Sequence, residues 1–353
     1  MRDMIASDAN ARGRQPNVPV IHIGWHKCAS TYLQQRVFPL LGANYQPLGA
    51  FPAGIPAPEG AASLIDFLES SDEFDTGLFK ELLGVPHDDR LLVISSEEIS
   101  GHSLGYEVID PFVTARNLAR TFPKARIVAV IRHQLDYILS LYCYRVCVRG
   151  HEYRSLERFL AEDGESGLFA HIEYDRLIAE YVSLFGRENV LVLPIELLRR
   201  DSSEFFRSLA GFIGEKLPAP RARRSNESTR LVAVVAIWRP FNRLLHLCMN
   251  ATLLLSGRRP SEYGPRKRKI FPFVKFRLRY YALQRKMTRR LNRHLSTSRR
   301  IEFSDIPARR DLESRFAKSN DRLASLGVVH VDLAALGYPM PLRDKVTPQG
   351  TSA

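Results

Sequence analysis

The chain has 353 residues, enough for one large domain or for a domain with a sizeable insertion. Hydrophobic residues make up 45% and charged residues 25%, so a core can form without metal or disulfide staples. An excess of 51 Lys and Arg over 38 Asp and Glu leaves a net charge of +13, which suits an anionic partner: nucleotide, sulfated or phosphorylated glycan, nucleic acid or acidic membrane surface.

Residues 1–17 are polar, lack the apolar stretch of a signal peptide, and read as a disordered tail. Val18 to Gly24 is a short apolar run ending at glycine, the pattern of a buried strand. A loop follows, then a helix over 31–38. Residues 42–60 are rich in Gly, Pro and Ala and read as a loop. Two short helices are expected near 61–70 and 76–83, and a second strand over 90–95. A helix over 108–122 leads to a third strand, 125–131. Further helices are expected over 135–148, 171–185 and 202–213, with a fourth strand over 190–194 and a small one over 328–332. Short continuous apolar strands separated by helices predict a parallel sheet covered on both faces.

Residues 221–300 differ. Clusters of Arg and Lys alternate with Phe271, Phe273, Phe276, Tyr280 and Tyr281, and the segment reads as a basic helical lid or insertion. Its longest apolar stretch, Leu231 to Leu255, is broken by Arg239, Pro240, Asn242 and Arg243 and makes a poor membrane span. Cys28, Cys143, Cys147 and Cys248 form no CxxC pair and have no zinc-type histidine spacing, so no metal site is expected. Cys143 and Cys147 lie four apart on an expected helix, as small buried hydrophobes would.

Two segments carry chemistry. In Ile21 to Gln34 a strand ends at Gly24 and enters a loop with His26, Lys27, Cys28, Ala29, Ser30 and Thr31, and a helix starts at once. Loop amides and a helix N-terminus form an anion site, to which Lys27 adds a point charge and the two hydroxyls add donors. A Walker A loop needs G-x-x-x-x-G-K-[ST]; no glycine precedes Lys27, which disfavours a divergent P-loop nucleotide kinase. In the second segment a strand ends in Arg132 and a helix follows with Ser140, so an arginine near a helix start can grip a phosphate. Taken one at a time, Arg132 could be a surface capping arginine and Ser140 a mid-helix serine bonded back to a carbonyl.

Together the segments resemble the two nucleotide-binding motifs of sulfotransferases that use 3'-phosphoadenosine 5'-phosphosulfate (PAPS). The first resembles the 5'-phosphosulfate loop P-K-T-G-[ST]-[ST], here His26-Lys27-Cys28-Ala29-Ser30-Thr31. Ala29 stands for the glycine, and its Cβ disfavours positive φ, so αR or β geometry is expected there. The second resembles the 3'-phosphate motif, an Arg with a Ser eight residues later. Gln134 replaces a common proline, while Asp136 and Tyr142 occupy positions often acidic and aromatic. The resemblance implies a P-loop-like three-layer α/β fold, with a central parallel sheet flanked by helices, spanning 18–345 as one domain and followed by a disordered tail, 346–353. It implies PAPS as sulfuryl donor and no metal. It implies Lys27 as a catalytic residue, with Glu97 or His102 beyond the second strand as base. Gly24, His26, Lys27, Cys28, Ala29, Ser30, Thr31, Arg132, Ser140 and Arg224 would hold the nucleotide, Arg224 in a late loop over it. Glu97 as base would need a pKa raised by burial, or would act by orienting the acceptor hydroxyl. Ser319 to Leu323 and Gly337 to Pro339 resemble a C-terminal signature of bacterial members. The expected acceptor is a glycan, glycolipid or small molecule, and the expected place is the cytoplasm, with peripheral contact of 221–300 to an anionic inner membrane face. A non-catalytic binder of nucleic acid or anionic membrane, built on 221–300, is the rival reading; nucleic acid is the less expected partner.

Overall fold

The computed structural model describes residues 18–41, 44–48, 61, 63–69, 74–85, 91–101, 110–150, 152–215, 217, 230–255, 274–302, 304 and 308–341. His102, Arg224, Phe271, Phe273 and both tails lie outside the described residues.

Among the described residues five strands form one parallel sheet in the order β2-β3-β1-β4-β5. They are β1 (Val20–Gly24), β2 (Asn44–Pro47), β3 (Leu92–Ser96), β4 (Arg126–Ile131) and β5 (Val190–Pro194). β1, β4 and β5 are buried along their whole length, as a sheet covered on both faces requires. The chain runs from β1 toward the β2–β3 side, and from β4 toward β5. These directions diverge at the carboxyl ends of β1 and β4, the switch point at which ligands gather beside sheets of this kind.

The helices are α1 (Ser30–Tyr32), α2 (Leu64–Leu68), α3 (Thr76–Leu82), α4 (Pro111–Thr121), α5 (Gln134–Cys147), α6 (Leu156–Phe159), α7 (Phe169–His171), α8 (Tyr174–Phe185), α9 (Ile195–Arg200), α10 (Ser202–Ile213), α11 (Val232–Leu255), α12 (Val274–His294) and α13 (Arg309–Ser325). α1 continues through a wide turn, Leu33–Val37, into a tight one, Phe38–Leu41.

Several expectations change. Residues 44–47, taken as loop, pair with β3 as the sheet's edge strand; parallel pairing was invisible in a segment framed by Gly and Pro. The small strand expected over 328–332 is a single bridge, Val192 to Val329. α9 and α13 were not anticipated.

Within 221–300 the described residues contain two long helices. α11 and α12 are tied to the end of α5, where helix carbonyls lack partners of their own. Asn242 and Gln284 both donate to the Val146 carbonyl, at 2.8 and 2.9 Å, and Thr288 donates to that of Cys147 at 2.7 Å. Tyr280 is taken up in this packing: its ring meets Trp238 and its hydroxyl donates to Asn242. Cys143 and Cys147 are buried, and burial pushes the Cys143 thiol up to about 12.

Candidate active site

The loop after β1 is a tight turn closed by the Cys28 amide on the Trp25 carbonyl at 3.2 Å. It places both Lys27 (φ 67) and Ala29 (φ 65, ψ 15) in the left-handed region. The expectation of αR or β geometry at Ala29 is therefore wrong. The short passage from strand to helix demands the left-handed turn, and the Cβ accepts a cost of about 1–2 kcal/mol. α1 begins directly after Ala29 with no side-chain cap, leaving its first amides without the usual side-chain acceptor. Gly24 is required by close approach. A Cβ there would fall against Ser30 Oγ and 2.9 Å from His22 Cε1. The Cys28 side chain is buried in the core, so Cys28 can serve a ligand only through its backbone.

Arg132 follows β4 and precedes His133, the N-cap of α5. Its Nη1 donates to the Lys27 carbonyl at 3.0 Å, so the two sequence segments meet. The joint is braced from below: Tyr174 donates to the Arg132 carbonyl at 2.7 Å and packs its ring edge-on against Trp25 at 4.8 Å. Arg132 is 3% exposed, which is not a surface arginine, and Ser140 is fully buried. Among the described residues Arg132 Nε and Ser140 Oγ have no hydrogen-bond partner, and Ser140 does not bond back to its helix. Buried donors without partners are costly, and these two lie on the two key positions of the second motif. Burial, then the charges of Arg230 and Arg199, hold the Arg132 pKa down; this corner has more positive charge than its acids balance. Asp136 is engaged by Arg230, at 2.6 Å. Tyr142 is engaged elsewhere, donating to the Arg154 carbonyl.

Lys27 Nζ lies 4.3 Å from the centroid of the Tyr144 ring, an energetically favourable resting place for an ammonium. Burial and the charge of Arg132 lower its pKa.

Glu97 follows β3. It does not cap the turn after it; its Oε2 meets His26 Nδ1 at 2.7 Å. Burial pushes the carboxyl up, but the His26 hydrogen bond, the charges of His26 and Lys27, and the nearby Ser30 hydroxyl outweigh it, and the pKa is lowered. A pKa raised by burial is thus not what Glu97 has. Among the described residues no group closes a hydrogen bond on Ser30 Oγ beyond this approach to Glu97.

The C-terminal signature supports the second motif from behind. Gln134 and Asn320 exchange amide hydrogen bonds, the shorter at 2.6 Å, and Asn320 also donates to the Pro339 carbonyl. Tyr338 donates to Glu196, whose other oxygen accepts from the His133 amide. The rigidity a proline would have given at 134 is supplied by this buried pair. Tyr144, Tyr174, Glu196, Arg199 and Arg230 were missed in sequence. Of these, only Tyr144 had a signal: it lies one turn beyond Ser140 and so shares its helix face.

The two loops thus meet at the carboxyl ends of neighbouring strands on a P-loop-like α/β fold. No family model and no curated protein matches the chain. Solved structures resemble it in part. A sulfotransferase from Alicyclobacillus acidocaldarius is 18% identical, with a TM-score of 0.40 over 70% of this chain and 98% of that one. Mouse sulfotransferase SULT7A1 complexed with PAP is 14% identical, with a TM-score of 0.35 over 65% of this chain and 67% of that one. The sulfotransferase domain from the curacin biosynthetic pathway is 13% identical, with a TM-score of 0.34 over 64% and 83%. At such identities and overlaps, function has to be read from the site's own residues.

Proposed function

We propose that this chain is a sulfotransferase that moves the sulfuryl group of PAPS to a hydroxyl or amine of an acceptor, with a carbohydrate or glycolipid as the acceptor class. The observation that carries the reading is the pair of buried polar atoms without partners among the described residues, Arg132 Nε just before α5 and Ser140 Oγ within it, with Arg132 bonded to the Lys27 loop. Two anion sites joined at their base fit a nucleotide with a phosphate at each end. Gly24 supports the fit, because a Cβ there would press on Ser30 Oγ, one of the hydroxyls given to the 5' end.

Bound there, the nucleotide supplies an activated sulfuryl group and a phosphate leaving group. Arg132 and Ser140 hold the 3'-phosphate and fix register, a positioning role. Ser30, Thr31 and the first amides of α1 hold the 5' end. Lys27 leaves the Tyr144 ring to meet charge developing on the leaving oxygen, in a site preorganised for it. His26 and Glu97 act as a unit: the ionised carboxylate orients the imidazole and stabilises its protonated form as it takes the acceptor proton. His102 is the competing base, and Arg224 would close over the nucleotide.

The test is calorimetry of the whole chain with 3'-phosphoadenosine 5'-phosphate (PAP) and with AMP. PAP should bind at least about a hundredfold tighter, the worth of one charge-assisted buried contact or more. Equal affinities would remove the roles given to Arg132 and Ser140.

A further inference from the structure

α11 carries an exposed apolar row that no other described element covers. Ile237, Phe241 and Leu244 recur at i, i+4 and i+7, hence on one side of the helix, and Phe241 and Leu244 are 56% and 60% exposed. Leu247 is exposed as well, and so are Leu283 and Met287 on α12. A soluble surface scatters such residues singly and does not align them. On α12 the row continues at both ends with arginine: Arg279, Leu283, Met287 and Arg290 fall at i, i+4, i+8 and i+11. α11 has two arginines and α12 eight Lys and Arg, and neither helix has an Asp or Glu. A cleft of about 450 Å³, lined in part by Arg158, Arg239 and Arg243, shares Leu247 with the apolar face.

We infer that α11 and α12 form a docking surface for a bilayer containing anionic phospholipid. Charge complementarity selects this occupant. A second copy would bring eight like charges on α12 against their equals. A nucleic acid would match the charge but leave Phe241 and Leu244 in water. An anionic bilayer matches both, taking apolar side chains below the headgroups and Arg and Lys at their level. The helices lie on the surface and do not cross it; among the described residues no helix is long and apolar enough to span. Both are tied to the end of α5, one turn beyond Tyr144. On the sulfotransferase reading, docking holds the site beside membrane-borne acceptors. The docking itself does not depend on that reading.

Flotation of the full chain with vesicles tests it: phosphatidylcholine alone, and phosphatidylcholine with phosphatidylglycerol, at low and high salt. Binding should require phosphatidylglycerol and weaken with salt. Arg279→Gln with Arg290→Gln should cut partitioning by about fivefold per residue. Phe241→Ser with Leu244→Ser should abolish most of it, with the urea unfolding midpoint unchanged as a check on folding. Equal binding to both vesicle types, no binding, or anionic-vesicle binding indifferent to Phe241→Ser with Leu244→Ser would overturn the proposal. So would salt-sensitive binding to duplex DNA in place of vesicles.

Discussion

Ala29→Gly isolates the backbone strain in the first loop. Ala29 is held at φ 65, ψ 15, where a Cβ costs about 1–2 kcal/mol. Glycine removes that cost but gains freedom in the unfolded chain, worth about 0.4–1 kcal/mol in the opposite direction. The net is a stabilisation of about 0.5–1 kcal/mol. If Ala29 were αR, as the residue type alone suggests, the same change would destabilise by about 0.5–1 kcal/mol. The sign therefore decides the conformation. Urea unfolding read at constant slope measures it, since a shift of midpoint with unchanged m is a change of stability. Ala29→Val, a poorer fit still to this region, should lose stability. A less stable Ala29→Gly protein would refute the left-handed loop and, with it, the geometry claimed for the first anion site.

Three further outcomes are expected. His22 is fully buried and its pKa is lowered to about 4, by burial more than the charge of Glu97 offsets; its stabilising contribution is complete above about pH 6.5 and is lost as pH falls toward 4, about 2 kcal/mol of it by pH 5. Denaturant melts at pH 7.5 and 5 should show that loss in the wild type and not in His22→Gln; equal slopes would contradict it. Lys27→Ala should lower kcat by about 10²–10³ while PAP affinity changes less than about tenfold, and a wild-type kcat would remove the charge-stabilising role. Glu97→Gln and His26→Asn should each lower kcat by about a hundredfold at saturating PAPS, and the double variant little further; additive losses would show that they do not act as a unit.

The sheet was legible because buried parallel strands announce themselves as unbroken apolar runs, as in Arg126–Ile131 and Val190–Pro194. β2 was not, because an edge strand owes its pairing to β3 and not to its own composition. Both candidate loops were legible as strand, loop and helix with a cation at a fixed place. Their joint was not: the bond from Arg132 to Lys27 spans 105 residues, and Tyr174 beneath it carries no local mark. The same holds for Gln134 and Asn320, 186 residues apart. Glu97 was found by its place beyond a strand end. Its partner His26 was read as a nucleotide-loop residue in the place of a proline and not as a partner of Glu97, because a contact between two loops has no spacing to detect. Ala29 misled because propensity was weighed without the turn that overrides it.

Sulfuryl transfer itself is tested in one incubation. The whole chain, PAPS and a panel of glycans and glycolipids are combined, and mass spectrometry follows both acceptor and nucleotide. The expected result is an acceptor carrying one added sulfuryl group, matched mole for mole by PAP, and loss of both signals with Lys27→Ala. PAPS left intact across the panel by a chain that binds PAP no better than AMP would contradict it.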